Sequence, residues 1–225
     1  MIGPDSVVLA VPGVAFDGDR EGVRRWRTER GDIVGLWYFP IPPDLPAPPD
    51  EIDKLRDNYR RRITPAGLAI VSVDAVRIDS CPAVRTIFKG PIPEGGLGSL
   101  YIASITIPFR DFSFVLKTIC EEQGITGVRD SFVADLMMRQ GRVQLGPSGF
   151  VGWFADPYDP GFRAAHLRNL SDDAEYDAMF PDHPLSQARR ILRMLEEHVR
   201  LSAEAKAAAA FTGARKPDKW QFWKR

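Results

Sequence analysis

The stretch Tyr101–Asp130, "YIASITIPFRDFSFVLKTICEEQGITGVRD", decides the fold. Residues Ser99–Pro108 and Phe112–Glu121 are two runs rich in β-branched and aromatic side chains. The three residues "FRD" between them leave room only for a hairpin, because a parallel pair needs a long crossover. In the second run Phe112, Phe114, Leu116 and Cys120 share one face, and Lys117 and Glu121 share the other. One face of the sheet is therefore core; the other is wet or flanked by a helix. Gly124–Thr126 then leads into a helix, with Thr126 as N-cap, Val128, Phe132, Val133, Leu136 and Met137 as its apolar stripe, and Gly141 as its stop. Phe112, Phe114 and Leu116 packed against Val128, Phe132 and Leu136 would contribute on the order of 10 kcal/mol before entropy is subtracted.

Upstream, Gly67–Asp79 and Ala83–Phe88 read as strands, and "KGPIPEGGLG" (89–98) as the loop leading to Ser99. A helix precedes them: Asp50 caps it, Asp53 sits at capping-box spacing, and Ile52, Leu55, Tyr59 and Ile63 form one face. Pro40–Asp50, with six prolines in its first ten residues, is an extended connection. Val23–Thr28 and Ile33–Phe39 form a hairpin across the turn "ERGD", and Val7–Val11 is a short strand. Downstream, Phe150–Pro184 is irregular, aromatic and acidic. Pro184 suits the first position of a last helix that runs by pattern and propensity to about Ala210, with Leu185, Ala188, Leu192, Leu195 and Val199 on one face. Strands joined by short connections give an antiparallel sheet, with two helices on one face. The expected organisation is an α+β domain over residues 1–148. Residues 149–225, an irregular acidic segment and a long C-terminal helix, pack on it.

The thirty basic and thirty acidic residues cancel, so no global field draws the chain to nucleic acid or anionic lipid. The N-terminus lacks a basic region before its apolar run, and no stretch reaches 18 apolar residues. A cytoplasmic protein without a membrane span is the expectation. Cys81 and Cys120 form no metal or redox motif and are read as reduced, buried thiols.

The motifs point away from the common chemistries. The glycine-rich loop lacks the Lys-Ser/Thr ending of a phosphate loop, Ser148 in "GPSG" does not have nucleophile-elbow spacing, and no HxH or HExxH is present. No cofactor is implied. One group resembles a hard-metal or acid–base centre: Asp172, Asp173, Asp177, Asp182 and His183. It supports the alternative expectation of a metal-dependent or acid–base enzyme, with Asp173, Asp177, Asp182 and His183 as ligands. Two basic clusters, Arg20–Arg30 around Trp26 and Arg56–Arg62 around Tyr59, could meet the acidic stretch at 156–182 within the chain or across a dimer. Aromatics in irregular chain make good anchors for a partner, so Trp153, Tyr158 and Phe162 are candidate contacts, as are Trp220, Phe222 and Trp223 in the basic tail. The last helix offers a seam for a homodimer.

Residues of about 50–140 resemble the PsbP-like fold. "IDSCPAVRTIFKG" carries at Ser80–Arg85 that family's small-residue, Pro-Ala entry into a strand, with Ser in place of Gly, and "YIASITIPFRDFSFVLKTI" supplies the paired strands before a capped helix. The fold is shared by an extrinsic photosystem subunit, a Ran-binding import factor and small bacterial proteins linked to toxin immunity. The resemblance implies an α+β sandwich acting through surfaces rather than a shared active site. The leading expectation is thus a non-catalytic, bacterial-type protein that binds another protein, in an accessory or immunity role.

Overall fold

The computed structural model describes residues 1–147 and 149–213. Its centre is a seven-stranded antiparallel sheet in the order β2-β3-β4-β8-β7-β6-β5. The strands are β2 (Val14–Arg20), β3 (Val23–Thr28), β4 (Ile33–Phe39), β5 (Ala69–Ile78), β6 (Cys81–Pro91), β7 (Ser99–Pro108) and β8 (Ser113–Glu121). Short turns join β2–β3–β4 and β5–β6–β7–β8, and β4 pairs with β8 to join the two meanders. The expected β7–β8 and β3–β4 hairpins are both present, with Ile105 opposite Leu116 and Trp26 opposite Val34. The fold is α+β, as the connections require. β2, which is mostly polar, did not announce itself as a strand.

The sheet is roofed on both faces, not by two helices on one. Helix α1 (Ile52–Ile63) sets Leu55 and Ile63 against Ile70, Val73 and Val84 near the β5 edge. Helix α3 (Pro184–His198) sets Leu185, Ala188, Ile191, Leu192 and Leu195 against Ile105, Ile107, Phe114 and Leu116 on the opposite face. The apolar stripe that suggested a homodimer seam is therefore occupied by the chain's own sheet.

Helix α2 (Val128–Arg139) does not lie on the sheet. Its buried face is Arg129, Val133, Ala134 and Met137, packed with Trp153 and Tyr176, while Val128 and Phe132 are exposed. The stripe is thus rotated from the expected one, because an arginine takes a core position. Its start is also displaced: Gly127, at φ 72°, precedes the first turn in place of a Thr126 cap, and Glu122 accepts the Gly127 N–H. Likewise Glu51, whose side chain pairs with Lys54 and makes no capping hydrogen bond, precedes α1, and Asp53 pairs with Arg56 rather than capping. Pro184 does open α3, and Gly141, at φ 71°, follows the end of α2.

The last helix stops at His198. Val199–Leu201 (β11) pairs antiparallel with Val7–Leu9 (β1), and among the described residues only Ala203–Lys206 is helical beyond it (α4). Helix propensity is worth tenths of a kcal/mol per residue, and two buried strand residues at each end, Val7 and Leu9 with Val199 and Leu201, outweigh it. A small hairpin, β9 (Gln144–Gly146) with β10 (Gly149–Val151), leads into the irregular segment.

Both sheet edges are protected. Tyr158 accepts the Val73 N–H at 2.7 Å, and Arg56 donates to Val73 O, closing part of β5. β2 is broken by a register shift between Phe16 and Gly18. Edges treated this way resist strand addition.

Candidate functional site

Lys89 and Tyr101 are partners across β6 and β7 on the α3 face, beyond the reach of α3. The chain from Asn169 to Asp177 covers them. Asn169 accepts the Ser171 N–H, and Asp172 reaches back to the Asn169 N–H, so this turn is held by reciprocal side-chain caps. The same Asp172 carboxylate, fully buried, accepts from Lys89 Nζ at 3.2 Å and from the Tyr101 hydroxyl at 3.1 Å. Asp130 of α2 accepts from Asn169 Nδ2 and Ser171 Oγ and lies 3.6 Å from Lys89. Burial and then the neighbouring Asp172 push the Tyr101 phenol well above its ordinary range, so it stays a neutral donor.

Arg129, with 0% of its surface exposed, anchors the second half. Its Nε donates to Ser171 O at 2.7 Å, Nη1 to Asp177 at 3.0 Å and Ser186 Oγ at 2.9 Å, and Nη2 to Asp173 O at 2.9 Å. Arg189 of α3 joins the same Asp177 oxygen at 2.8 Å. Burial lowers the Arg189 pKa, against the pull of Asp177. At the edge of the seam Glu122 accepts the N–H groups of Ser99 and Gly127 and faces His183 Nε2 at 3.5 Å. Burial acts to raise the Glu122 pKa. The contact with His183 and the two backbone donors outweigh it and hold the carboxyl at about 2. His183 Nδ1 accepts the Leu185 N–H, which leaves Nε2 as the hydrogen-bearing nitrogen facing Glu122.

Lys89, Arg129 and Arg189 thus balance Asp130, Asp172 and Asp177. A balanced, closed seam of this kind fixes the position of α2 and of the irregular segment. A cavity of about 360 Å³ adjoins it, bounded by Lys89, Gly90, Gly67, Phe154 and His166.

The expected metal ligands do not converge. Asp173 pairs with Arg168, Asp177 with Arg129 and Arg189, Asp182 with Arg30, and His183 caps α3. Among the described residues no group of three or more His, Cys, Asp or Glu side chains is placed to hold a metal ion. Their closeness in sequence misled, because in irregular chain successive side chains point in different directions. The expectation that basic and acidic surfaces meet within the chain holds at Arg60, which donates from Nη2 and Nε to buried Asp156 at 2.9 and 3.0 Å, and at Arg30 with Asp182. The Trp26 cluster is answered by acids of its own hairpin and N-terminus: Arg24 by Asp5 and Asp19, Arg25 and Arg27 by Asp17.

The candidate anchors fare differently. Trp153 is buried against Val133 and Met137 and is a core residue, not a surface contact. Tyr158 closes the β5 edge with Arg56 stacked 3.7 Å from its ring centroid, and Phe162 lies under Arg60. Trp220, Phe222 and Trp223 lie outside the described residues.

Exposed apolar side chains occur around β9 and β10, at Leu145, Phe150, Val151 and Phe154, and also on the α1 face. Helix α1 packs on β5 and reaches Val84 and Phe88 of β6 there, while the helix on β7 and β8 is α3, on the other side. The α1 face of β4, β8 and β7 therefore presents Trp37 and Phe39, Val115, Lys117 and Ile119, and Ile102 in adjacent rows. Ile119 is 49% exposed and Phe39 40%, and Trp37, Val115 and Ile102 are half-buried. Trp37 lies over Gly35: a Cβ there would be 2.6 Å from the indole. Glycine at 35 is what lets the ring lie flat on the sheet. Lys117 Nζ sits 4.6 Å from the ring centroid and makes no ion pair among the described residues. Sequence alternation placed Lys117 and Glu121 on this face. The missed residue is Trp37, for which Gly-x-Trp in a strand was the available clue.

No protein-family model matches the chain, and no curated protein matches it. Among solved structures it is similar to cyanobacterial PsbP (CyanoP) from Synechocystis sp. PCC 6803, with 12% identity and a TM-score of 0.32 over 65% of this chain and 86% of that one. The α+β class rests on the sheet itself. Among the described residues no helix is long and apolar enough to cross a membrane.

Proposed function

We propose that this chain is a protein-binding or accessory protein whose contact surface is the bare half of the α1 face, centred on Trp37 and Lys117. The observation that carries the reading is an apolar patch spread over three adjacent strands, with an aromatic ring laid flat and one lysine lacking an acidic partner among the described residues. Contiguous exposed apolar surface with a polar centre is a mark of interaction sites. The complementary partner is a protein segment with an apolar stripe and a carboxylate for Lys117. Asp172, Asp173, Asp177 and Asp182 are each paired with a cation and Glu122 is held by backbone donors, which favours the face over the seam. A cytoplasmic location agrees with Cys81 and Cys120 being free and buried.

The test is quantitative capture with the full chain as bait, wild type against Trp37→Ala, Lys117→Glu and Ile119→Asp, each checked for unchanged melting. One and the same partner should be retained by wild type and weakened about tenfold or more, ~1.4 kcal/mol, by the substitutions. Equal capture by all four baits overturns the reading.

A further inference from the structure

The cavity of about 360 Å³ beside the seam shares no lining residue with the contact surface around Trp37. Its floor is the entry of β5 and the facing ends of β6 and β7, and little side chain covers it. Gly67 turns the chain at φ 75°, and a Cβ there would come 3.9 Å from the His166 ring; a Cβ at Gly90 would strike Leu68 at 2.4 Å. The opposite wall is the irregular loop between Phe154 and Asn169. These two residues form a β-bridge, and Ala155 donates its N–H to Arg168 O at 3.1 Å, so the loop is closed at its base. Arg60 holds the start of the loop through Asp156. A loop pinned in this way gives a preformed pocket, and its volume falls within the ~300–1,000 Å³ usual for small-molecule sites.

The lining sets the chemistry of the ligand. Phe154, 54% exposed, offers an aromatic surface, and Ala164, Ala165 and Leu167 are small or apolar. Two polar side chains of the wall make no hydrogen bond among the described residues: the Ser99 hydroxyl, whose own backbone N–H goes to Glu122, and the His166 imidazole. Both can serve a guest as donor or acceptor. Spare charge is absent. Lys89 reaches the wall, but Asp172 and Asp130 already answer its ammonium, so an anion finds no free cation. Among the described residues no carboxylate lines the cavity, so a cation finds no counter-charge. We propose that the cavity binds a small, uncharged, planar ring bearing an amide-like donor and acceptor, with the ring against Phe154 and its polar edge toward Ser99 and His166.

The test is titration of the isotope-labelled full chain with benzamide, benzoate and benzamidine, three probes of one shape and different charge, followed by NMR amide shifts. Benzamide should saturably move the N–H signals of Gly67, Gly90, Gly98 and Ala165 with a Kd of about 1 mM, and benzoate and benzamidine should bind at least ~5-fold more weakly. Ala165→Trp, at an exposed position in the wall, should weaken benzamide at least ~5-fold by filling the space, and Ser99→Ala with His166→Leu should do the same by removing both hydrogen-bonding groups. No saturable shift, shifts centred elsewhere, equal binding of a charged probe, or unchanged affinity in either variant overturns the proposal. Capture by the Trp37 and Lys117 baits reports on a different surface, and neither result decides the other.

Discussion

Arg129→Met is the most direct test of the buried seam. The substitution keeps an apolar stem in α2 and removes every donor. Ser171 O loses its hydrogen bond from Nε, whereas Asp173 O keeps the Tyr176 N–H. An orphaned buried acceptor costs ~1–3 kcal/mol. Asp177 retains Arg189 and the Ser186 hydroxyl, so it is not stripped of partners, but the seam acquires an unbalanced negative charge. Breaking one side of a buried ion pair costs ~3–5 kcal/mol, and the surviving Arg189 puts this change at the low end. The expected total is about 4–6 kcal/mol, or roughly 8–24 °C in melting temperature for a chain of this size. Thermal and urea unfolding followed by circular dichroism measure it. Arg129→Lys, which keeps the charge but not the planar fork, should fall between wild type and Met. A Met variant within ~1 kcal/mol of wild type would refute the idea that Arg129 organises α2 and the irregular segment.

The two faces of β8 should respond oppositely. Leu116→Ala, in the α3 core, should destabilise by ~2–5 kcal/mol, and Ile119→Asp, three residues on, should stay within ~0.5 kcal/mol; similar losses at both positions would mean the bare face is covered. Glu122 is held at about 2, below its ordinary value of 4.5. A carboxyl whose folded pKa is depressed adds stability above its unfolded value and loses it as pH falls through the folded one. Glu122→Gln should therefore flatten the fall in urea midpoint between about pH 4.5 and pH 2, and a fall as steep as in wild type would count against the His183 and backbone contacts as its cause.

What the sequence alone determined is local. Alternation in β7 and β8, the turn between β3 and β4, the α1 stripe, Pro184 before α3 and Gly141 after α2 are each set by a few neighbouring residues, and short-range sterics and amphipathicity suffice to read them. What only the tertiary structure decided depends on residues far apart in the chain. Arg129 occupies a core position of α2 because Ser171, Asp173, Asp177 and Ser186 arrive to satisfy it. No pattern within the helix could show that: of the expected stripe Val133 and Met137 are buried, while Val128 and Phe132 are exposed. Val199–Leu201 follows a helical run yet becomes a strand because Val7–Leu9 waits beside it. The seam links Lys89, Tyr101, Glu122 and Asp130 from separate elements, and sequence reasoning looked instead at acids that are neighbours only along the chain. Whether a charged side chain is wet, paired or buried is settled by what packs against it, and that is a property of the assembled layers.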